Sequence, residues 1–313
     1  MAAPVIRDAT RCESKASIVI EGLQGSGKSG LALDIAHALT GDWSKIGAVD
    51  SENRSLDLFE GLNMSSGVSC TPFKKADLTD EYGFIPSMYL ELREDFINMG
   101  CEAVIFDSIS HAWIGTDGIL DRVNRLEAEN TKINKFNAWG RPEVLPEKNK
   151  LPSLVRDPRV HMISTVRLKE KFVMETGEGV KSIGEQQVMQ DGLKYEPDLL
   201  LRMVSPGNPD GTPAVASVEK TRYAFLRKGQ VYTFTPELLQ QIKDYLTEGV
   251  DPATLLERQF NDYVVSITDL VKDNKTQQTK LSMTKRRMGI DPATKLKDMT
   301  LTQLQVIYNQ LQI

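Results

Sequence analysis

An apolar run, Ser17-Ile-Val-Ile20, passes directly into Gly22-Leu-Gln-Gly25-Ser26-Gly27-Lys28-Ser29 and from there into a helical pattern. No other feature constrains the fold as strongly. Glycines in such a loop let backbone N–H groups turn inward around a polyphosphate, Lys28 can reach the β/γ-phosphates as a point charge, and the Ser29 hydroxyl is placed to ligate Mg²⁺. Leu31, Ala32, Ile35, Ala36 and Leu39 share one face of the segment that follows, so a helix from Gly30 to Leu39 would pack on a sheet with its positive end toward the phosphates. The expected ligands are therefore ATP and Mg²⁺, held by Gly22, Gly25, Ser26, Gly27, Lys28, Ser29 and Gly30.

The chain has 313 residues, 40% of them hydrophobic, enough for one core domain and a smaller appendage. Its formal charge of −5 means that any nucleic-acid contact has to come from local basic segments. Cys12, Cys70 and Cys101 are widely spaced and fit reduced thiols in a cytoplasmic protein. Met1 to Ser14 has no apolar run, and no stretch is long and apolar enough to span a bilayer, so neither secretion nor a membrane is expected.

Short apolar strands are expected at Lys45–Asp50, Gly67–Phe73, Glu102–Asp107, Val160–Val166, Leu199–Val204 and Val215–Val218, and helices at Pro86–Met99 and Gly118–Glu129. Strands alternating with helices imply a mainly parallel α/β sheet. The polar stretches 117–157 and 169–191 read as excursions from it. Thr235-Pro236 starts a helix that closes the core. After it, Asp251-Pro and Asp291-Pro are two further start signals, and Thr300-x-x-Gln303 can form a capping box before Leu301, Leu304, Ile307 and Leu311. The expected organisation is an N-terminal arm at 1–14, an ATPase-like core at 15–249 and a small helical C-terminal domain at 250–313.

Asp107 ends an apolar strand, as suits an acid that holds Mg²⁺ with Ser29; the plainer alternative is a helix-capping Asp. Glu52, in Val49-Asp50-Ser51-Glu52, can deprotonate a water for attack on the γ-phosphate, or is simply a solvated turn acid. His37, His111 and His161 have no metal-ligand spacing. Residues 141–171 hold eight Lys/Arg against four Asp/Glu, a net +4 flanked by Phe136, Trp139 and Phe172, which suits single-stranded DNA through phosphate contacts and base stacking. The candidates there are Arg141, Lys148, Lys150, Lys169, Lys171 and Phe172. Lys280 with Lys285-Arg286-Arg287 is a second basic cluster, either a DNA anchor or a soluble helix face.

The order of phosphate loop, Val-Asp-Ser-Glu52, Val-Ile-Phe-Asp107-Ser, Ser164-Thr165-Val166-Arg167 and Lys220-Thr-Arg222 resembles the RecA-like ATPase core. Phe106-Asp-Ser-Ile-Ser-His-Ala-Trp113, Phe136-Asn-Ala-Trp-Gly140 and Gln190-Asp-Gly-Leu-Lys-Tyr-Glu196 are similar to small RecA-like ATP-binding proteins of bacteriophages, several of which are single-strand annealing recombinases or their relatives. The resemblance spans roughly residues 15 to 235. It implies a RecA-like P-loop NTPase core and Mg²⁺-dependent ATP hydrolysis with Glu52 as base. It also implies γ-phosphate sensing at Thr165, where the family carries an amide, with Arg167 as a second candidate for the task. Lys220 and Arg222 are implied to reach a neighbouring subunit's γ-phosphate, which requires a homo-oligomer, filament or ring. Recombination or replication proteins of the phage, in the host cytoplasm, are the implied partners. Two other functions share the loop: a nucleotide or small-molecule kinase, and a nucleotide switch that loads a replication partner.

Overall fold

The computed structural model describes residues 9–129, 135–175, 179–208 and 210–312, without the side chains of 135 and 171–184. Its centre is a mixed, mostly parallel sheet built from β1 (Ser17–Gly22), β2 (Ile46–Asp50), β3 (Lys74–Asp77), β4 (Ala103–Asp107), β5 (His161–Glu175), β6 (Gly179–Gln187), β7 (Leu199–Ser205), β8 (Val215–Thr221) and β9 (Val231–Thr233). The strand order is β3-β2-β4-β5-β1-β7-β8-β9. Strands β3 through β7 in that order run parallel, β8 and β9 close one end antiparallel, and β6 folds back on β5.

β1, β2 and β4 are buried along their whole length, as expected of parallel strands covered on both faces. One face packs against α1 (Lys28–Thr40), whose Leu31, Ala32, Ile35, Ala36 and Leu39 meet Ile18, Ile20, Ile46 and Ile105. The other is covered by α2 (Pro86–Asn98), α3 (Ser110–Ile114), α4 (Ile119–Glu129), α5 (Lys135–Ala138) and α6 (Leu145–Lys148), where Tyr89 and Phe96 meet Val104, Phe106 and Met162. α7 (Pro236–Thr247) joins the first face through Leu239, Ile242 and Leu246.

Two expectations for the sheet change. Gly67–Phe73 is not a strand; Gly67 sits at φ 80° in a turn closed by the Met64 N–H donating to Val68 O, and the strand beside β2 begins at Lys74. Pro72, with no N–H to donate, keeps the ladder from starting earlier. The polar stretch from 169 onward is no loose excursion, since β5 continues to Glu175 and pairs with β6 as an antiparallel hairpin.

The chain divides into two compact units, Ser14–Leu246 and a second that joins Thr247–Ile313 to the segment before Ser14. Residues 1–8 of the expected arm lie outside the described residues, while Cys12 bridges to Val250 and Arg11 pairs with Glu248 at 2.6 Å. This second unit contains α8 (Pro252–Val271), α9 (Lys275–Arg287) and α10 (Leu301–Gln312) around Ile267, Met299, Leu304, Ile307 and Leu311. Asp251 caps α8 by accepting from the Thr254 N–H at 2.9 Å. Asp291 organises only a turn, its side chain accepting from the Ala293 N–H at 2.8 Å. Thr300 and Gln303 make the reciprocal capping box of α10. Among the described residues no helix is long and apolar enough to cross a membrane.

Candidate functional site

The carboxyl ends of β1, β2, β4 and β5 converge on one edge of the sheet, the position where open α/β sheets place their ligand crevice. Gly22 ends β1 and Lys28 opens α1, so the loop between them joins a buried strand to a helix N-terminus. Gly25 and Gly27 take φ 76° and 88°, conformations that favour glycine. At Gly27 a Cβ would also lie 2.7 Å from Pro206, in the segment after β7. Lys28 is 6% exposed, and its ammonium donates to the Leu23 carbonyl at 2.8 Å, across its own loop. Burial lowers its pKa, while the nearby carboxylates of Glu52 and Asp107 act in the opposite direction. The Ser26 hydroxyl is buried without a partner.

Asp107 is fully buried at the end of β4. Its Oδ1 accepts from the Thr165 hydroxyl on β5, and its Oδ2 has no hydrogen-bond partner. Burial pushes this carboxyl up to about 6, against the opposing pull of the Ser29 and Thr165 side chains. Thr165, expected to sense a γ-phosphate, thus spends its hydroxyl on the candidate metal acid. Among the described residues, no three His, Cys, Asp or Glu gather into a protein-only metal nest. Mg²⁺ commonly needs just one or two carboxylates together with substrate phosphates.

Glu52 is held by a turn that Asp50 builds. The buried Asp50 carboxylate accepts the Glu52 and Leu56 N–H groups, each at 2.8 Å, and Asn53 and Arg54 follow at positive φ. Glu52 Oε1 accepts from Arg167 Nε on β5 at 2.8 Å. Burial alone would raise the Glu52 pKa, but the Arg167 hydrogen bond and the charges of Arg167, Lys28 and His111 together hold it below the usual carboxylate range. The expected base and the second candidate sensor are therefore ion-paired to each other.

His111 joins this site through Ser51. The Ser51 hydroxyl lies 3.0 Å from the Ser108 carbonyl, and its oxygen accepts the Ser108 N–H at 2.8 Å. The same hydroxyl oxygen lies 2.7 Å from His111 Nδ1, a hydrogen bond whose direction follows the imidazole tautomer. Burial and the Arg167 charge both lower the His111 pKa.

Two cavities flank the loop. One, of about 120 Å³, is lined by Gly27, Gly30, Asp34, Phe59, Asn63 and Asn208 among others, with the Phe59 ring edge 3.4 Å from where a Gly30 Cβ would stand. Asp34 accepts from the Ser65 and Ser66 hydroxyls and so ties α1 to the turn that walls this slot. No local motif marks this slot, because Phe59 ends a short 3-10 helix while Asn63 and Asn208 lie in separate loops, and a lone aromatic nine residues past β2 is common. The other cavity, of about 510 Å³, is lined by Gln24, Glu52, Asp80, His111 and Arg167 among others.

The remaining candidates do not gather here. Arg141 is exposed, whereas Lys148 lies 5.2 Å over the Trp139 ring and Lys150 pairs with Glu147 at 2.6 Å. Trp139 itself stacks on Trp113 at 5.7 Å, while Phe136 is 86% exposed. Lys169 is exposed on β5, and the side chains of Lys171 and Phe172 lie outside the described residues. Lys220, next to last in β8, places its ammonium on the Tyr195 and Pro197 carbonyls, and Arg222 pairs with Asp198 at 2.8 Å. Compared with known proteins, the chain matches no family model and no curated sequence, so the meaning of this site rests on its own residues and geometry.

Proposed function

We propose that this protein is a P-loop ATPase of RecA-like type that hydrolyses ATP with Mg²⁺ and works on single-stranded DNA as an oligomer. The observation that carries the reading is the meeting of a loop lysine, a strand-end acid and a second carboxylate with its arginine on one edge of the sheet, contributed by β1, β4, β2 and β5. The residues fit the ligands. Ser26 Oγ and Asp107 Oδ2 are buried polar atoms without partners, which is costly unless a ligand satisfies them. The glycines leave the loop backbone bare, and the slot beside Phe59 offers a partly apolar place for a nucleobase.

In this reading Lys28 exchanges the Leu23 carbonyl for a phosphate oxygen, and Ser29 with Asp107 holds the metal. Bound Mg²⁺ neutralises phosphate charge and polarises the scissile phosphoryl group. Glu52 orients a water and accepts its proton. Arg167 keeps Glu52 ionised by pairing with Oε1, and the second carboxylate oxygen is the one that takes the proton in this reading. Arg167 precedes the β5–β6 hairpin ladder by one residue, and its carbonyl accepts from the Val188 N–H at 2.8 Å, which makes the hairpin the natural lever for DNA.

The test compares two variants for nucleotide affinity and for phosphate release with and without single-stranded DNA. Lys28→Ala should abolish tight ATP binding, whereas Glu52→Gln should bind normally and lose about 100-fold or more in hydrolysis. Equal loss of affinity in both would remove Glu52 as base. The larger cavity beside Glu52 favours a second reading, phosphoryl transfer to a small acceptor. ATP turnover that yields free phosphate without any acceptor counts against it.

A further inference from the structure

α9 carries five cations, Lys275, Lys280, Lys285, Arg286 and Arg287, and no acid. Over residues 272–297 there are eight Lys/Arg against two Asp, a net +6 in a chain whose total is −5. Positive charge is thus segregated into this part of the C-terminal unit.

The structure sorts these residues. Lys285 is 5% exposed and donates to the Pro292 and Thr294 carbonyls at 3.1 and 2.7 Å, so it is an internal brace that fixes the following turn to α9. Lys272, Lys275, Arg286, Arg287, Lys295 and Lys297 are exposed, and none is in an ion pair among the described residues. Helix stability does not account for the pattern. Cations at the last turn suit the helix dipole, but Lys275 stands in the first turn, where a cation is unfavourable. An ordinary solvated helix interleaves Glu with Lys at i,i+4, and α9 has no acid to pair.

We infer that the α9 face is a docking surface for the phosphate backbone of duplex nucleic acid. A helix of 13 residues is about 20 Å long and about 10–12 Å wide, which matches the roughly 12 Å major groove and spans about six phosphates of one strand. Single strands are the weaker fit because α9 has no aromatic ring for base stacking, and Tyr263 and Tyr308 of this unit pack against each other at 5.4 Å. An anionic membrane is also a weaker fit, because Met283 is the one large exposed apolar side chain on the helix. The inference stands independently of the nucleotide site.

The experiment measures anisotropy of a short labelled duplex with the full chain across about 50 to 200 mM salt. Lys275→Glu/Arg286→Glu/Arg287→Glu should weaken duplex binding at least tenfold and reduce the salt slope by about 3, at about 0.9 per lost phosphate contact. The Gln triple variant should flatten the slope equally with a smaller loss of affinity, and ATP affinity and single-strand affinity should stay as in the parent. Unchanged duplex affinity in both variants overturns the inference. So does an equal loss of single-strand binding, or a parent protein that binds phosphatidylserine vesicles but no duplex. Because ATP affinity is read in the same samples, a failure here is distinguishable from a failure of the nucleotide reading.

Discussion

Burial and charge oppose each other at Glu52, and Arg167 decides the outcome. Without the 2.8 Å hydrogen bond from Arg167, burial would be less opposed and the carboxyl would titrate higher. If Glu52 is the base, Arg167→Ala should move the acid limb of kcat/KM against pH upward, since the base must be deprotonated to work. An unmoved limb would separate Glu52 from the proton transfer. His161 is a structural counterpart. Burial pushes its imidazole down from 6.5 to about 3, and its Nδ1 accepts the Ala16 N–H at 3.0 Å, so the folded chain holds it neutral. The unfolded chain takes up a proton as pH falls below its ordinary value, so this stability is complete above about pH 6.5 and is lost toward pH 3, by about 1.4 kcal/mol per pH unit. Urea titrations from neutral to acid pH should show a shallower loss in His161→Asn, whose side-chain oxygen can still accept from Ala16.

Loop, strand and helix at Gly22–Lys28 depend on backbone shape that side chains do not supply. Gly27 combines φ 88° with Pro206 atoms 2.7 to 2.8 Å from any added Cβ, so two elements distant in sequence both exclude a side chain there. Gly27→Ala should destabilise the chain by about 1–3 kcal/mol and, if the loop binds ATP, weaken that binding sharply, read by thermal melting and calorimetry. Near-parent ATP affinity would show that the loop opens away from Pro206 without consequence. The β5–β6 hairpin illustrates the opposite case. Gly-punctuated polar sequence reads as loop, yet a strand leaving a buried sheet can continue whenever a partner satisfies its N–H and C=O groups, and β6 does so.

At the scale of the molecule, the two units have separate hydrophobic cores, and the charge is divided between them. Arg222 is 62% exposed at its side chain in a surface ion pair with Asp198, a contact worth about 0–1 kcal/mol that a neighbouring phosphate can displace. Lys220, braced by two carbonyls, is less free to leave. If Arg222 acts on a neighbour's nucleotide, hydrolysis should rise more than linearly with protein concentration. Mixing Lys28→Ala protein, which keeps Arg222, with Arg222→Ala protein, which keeps the ATP site, should then restore activity at mixed interfaces. A mixture no more active than its parts across a range of ratios would make Arg222 structural.

The phosphate loop, the helix after it, the strand-end position of Asp107 and the α10 capping box were legible in sequence because each is local. Glycine freedom, apolar periodicity and capping chemistry all act within a few residues. Candidate Mg²⁺ and base roles for Asp107 and Glu52 could be named from where they stand after their strands. Their environment could not, since Thr165 and Arg167 reach them only after β5 inserts between β1 and β4. The burial of Lys285 within a basic run, the stacking of Trp139 on Trp113 and the slot beside Phe59 likewise came from contacts between segments far apart in the chain. Composition states how many charges and rings a segment holds; only packing decides which of them face inward, because burial is a property of neighbours brought together by the whole fold.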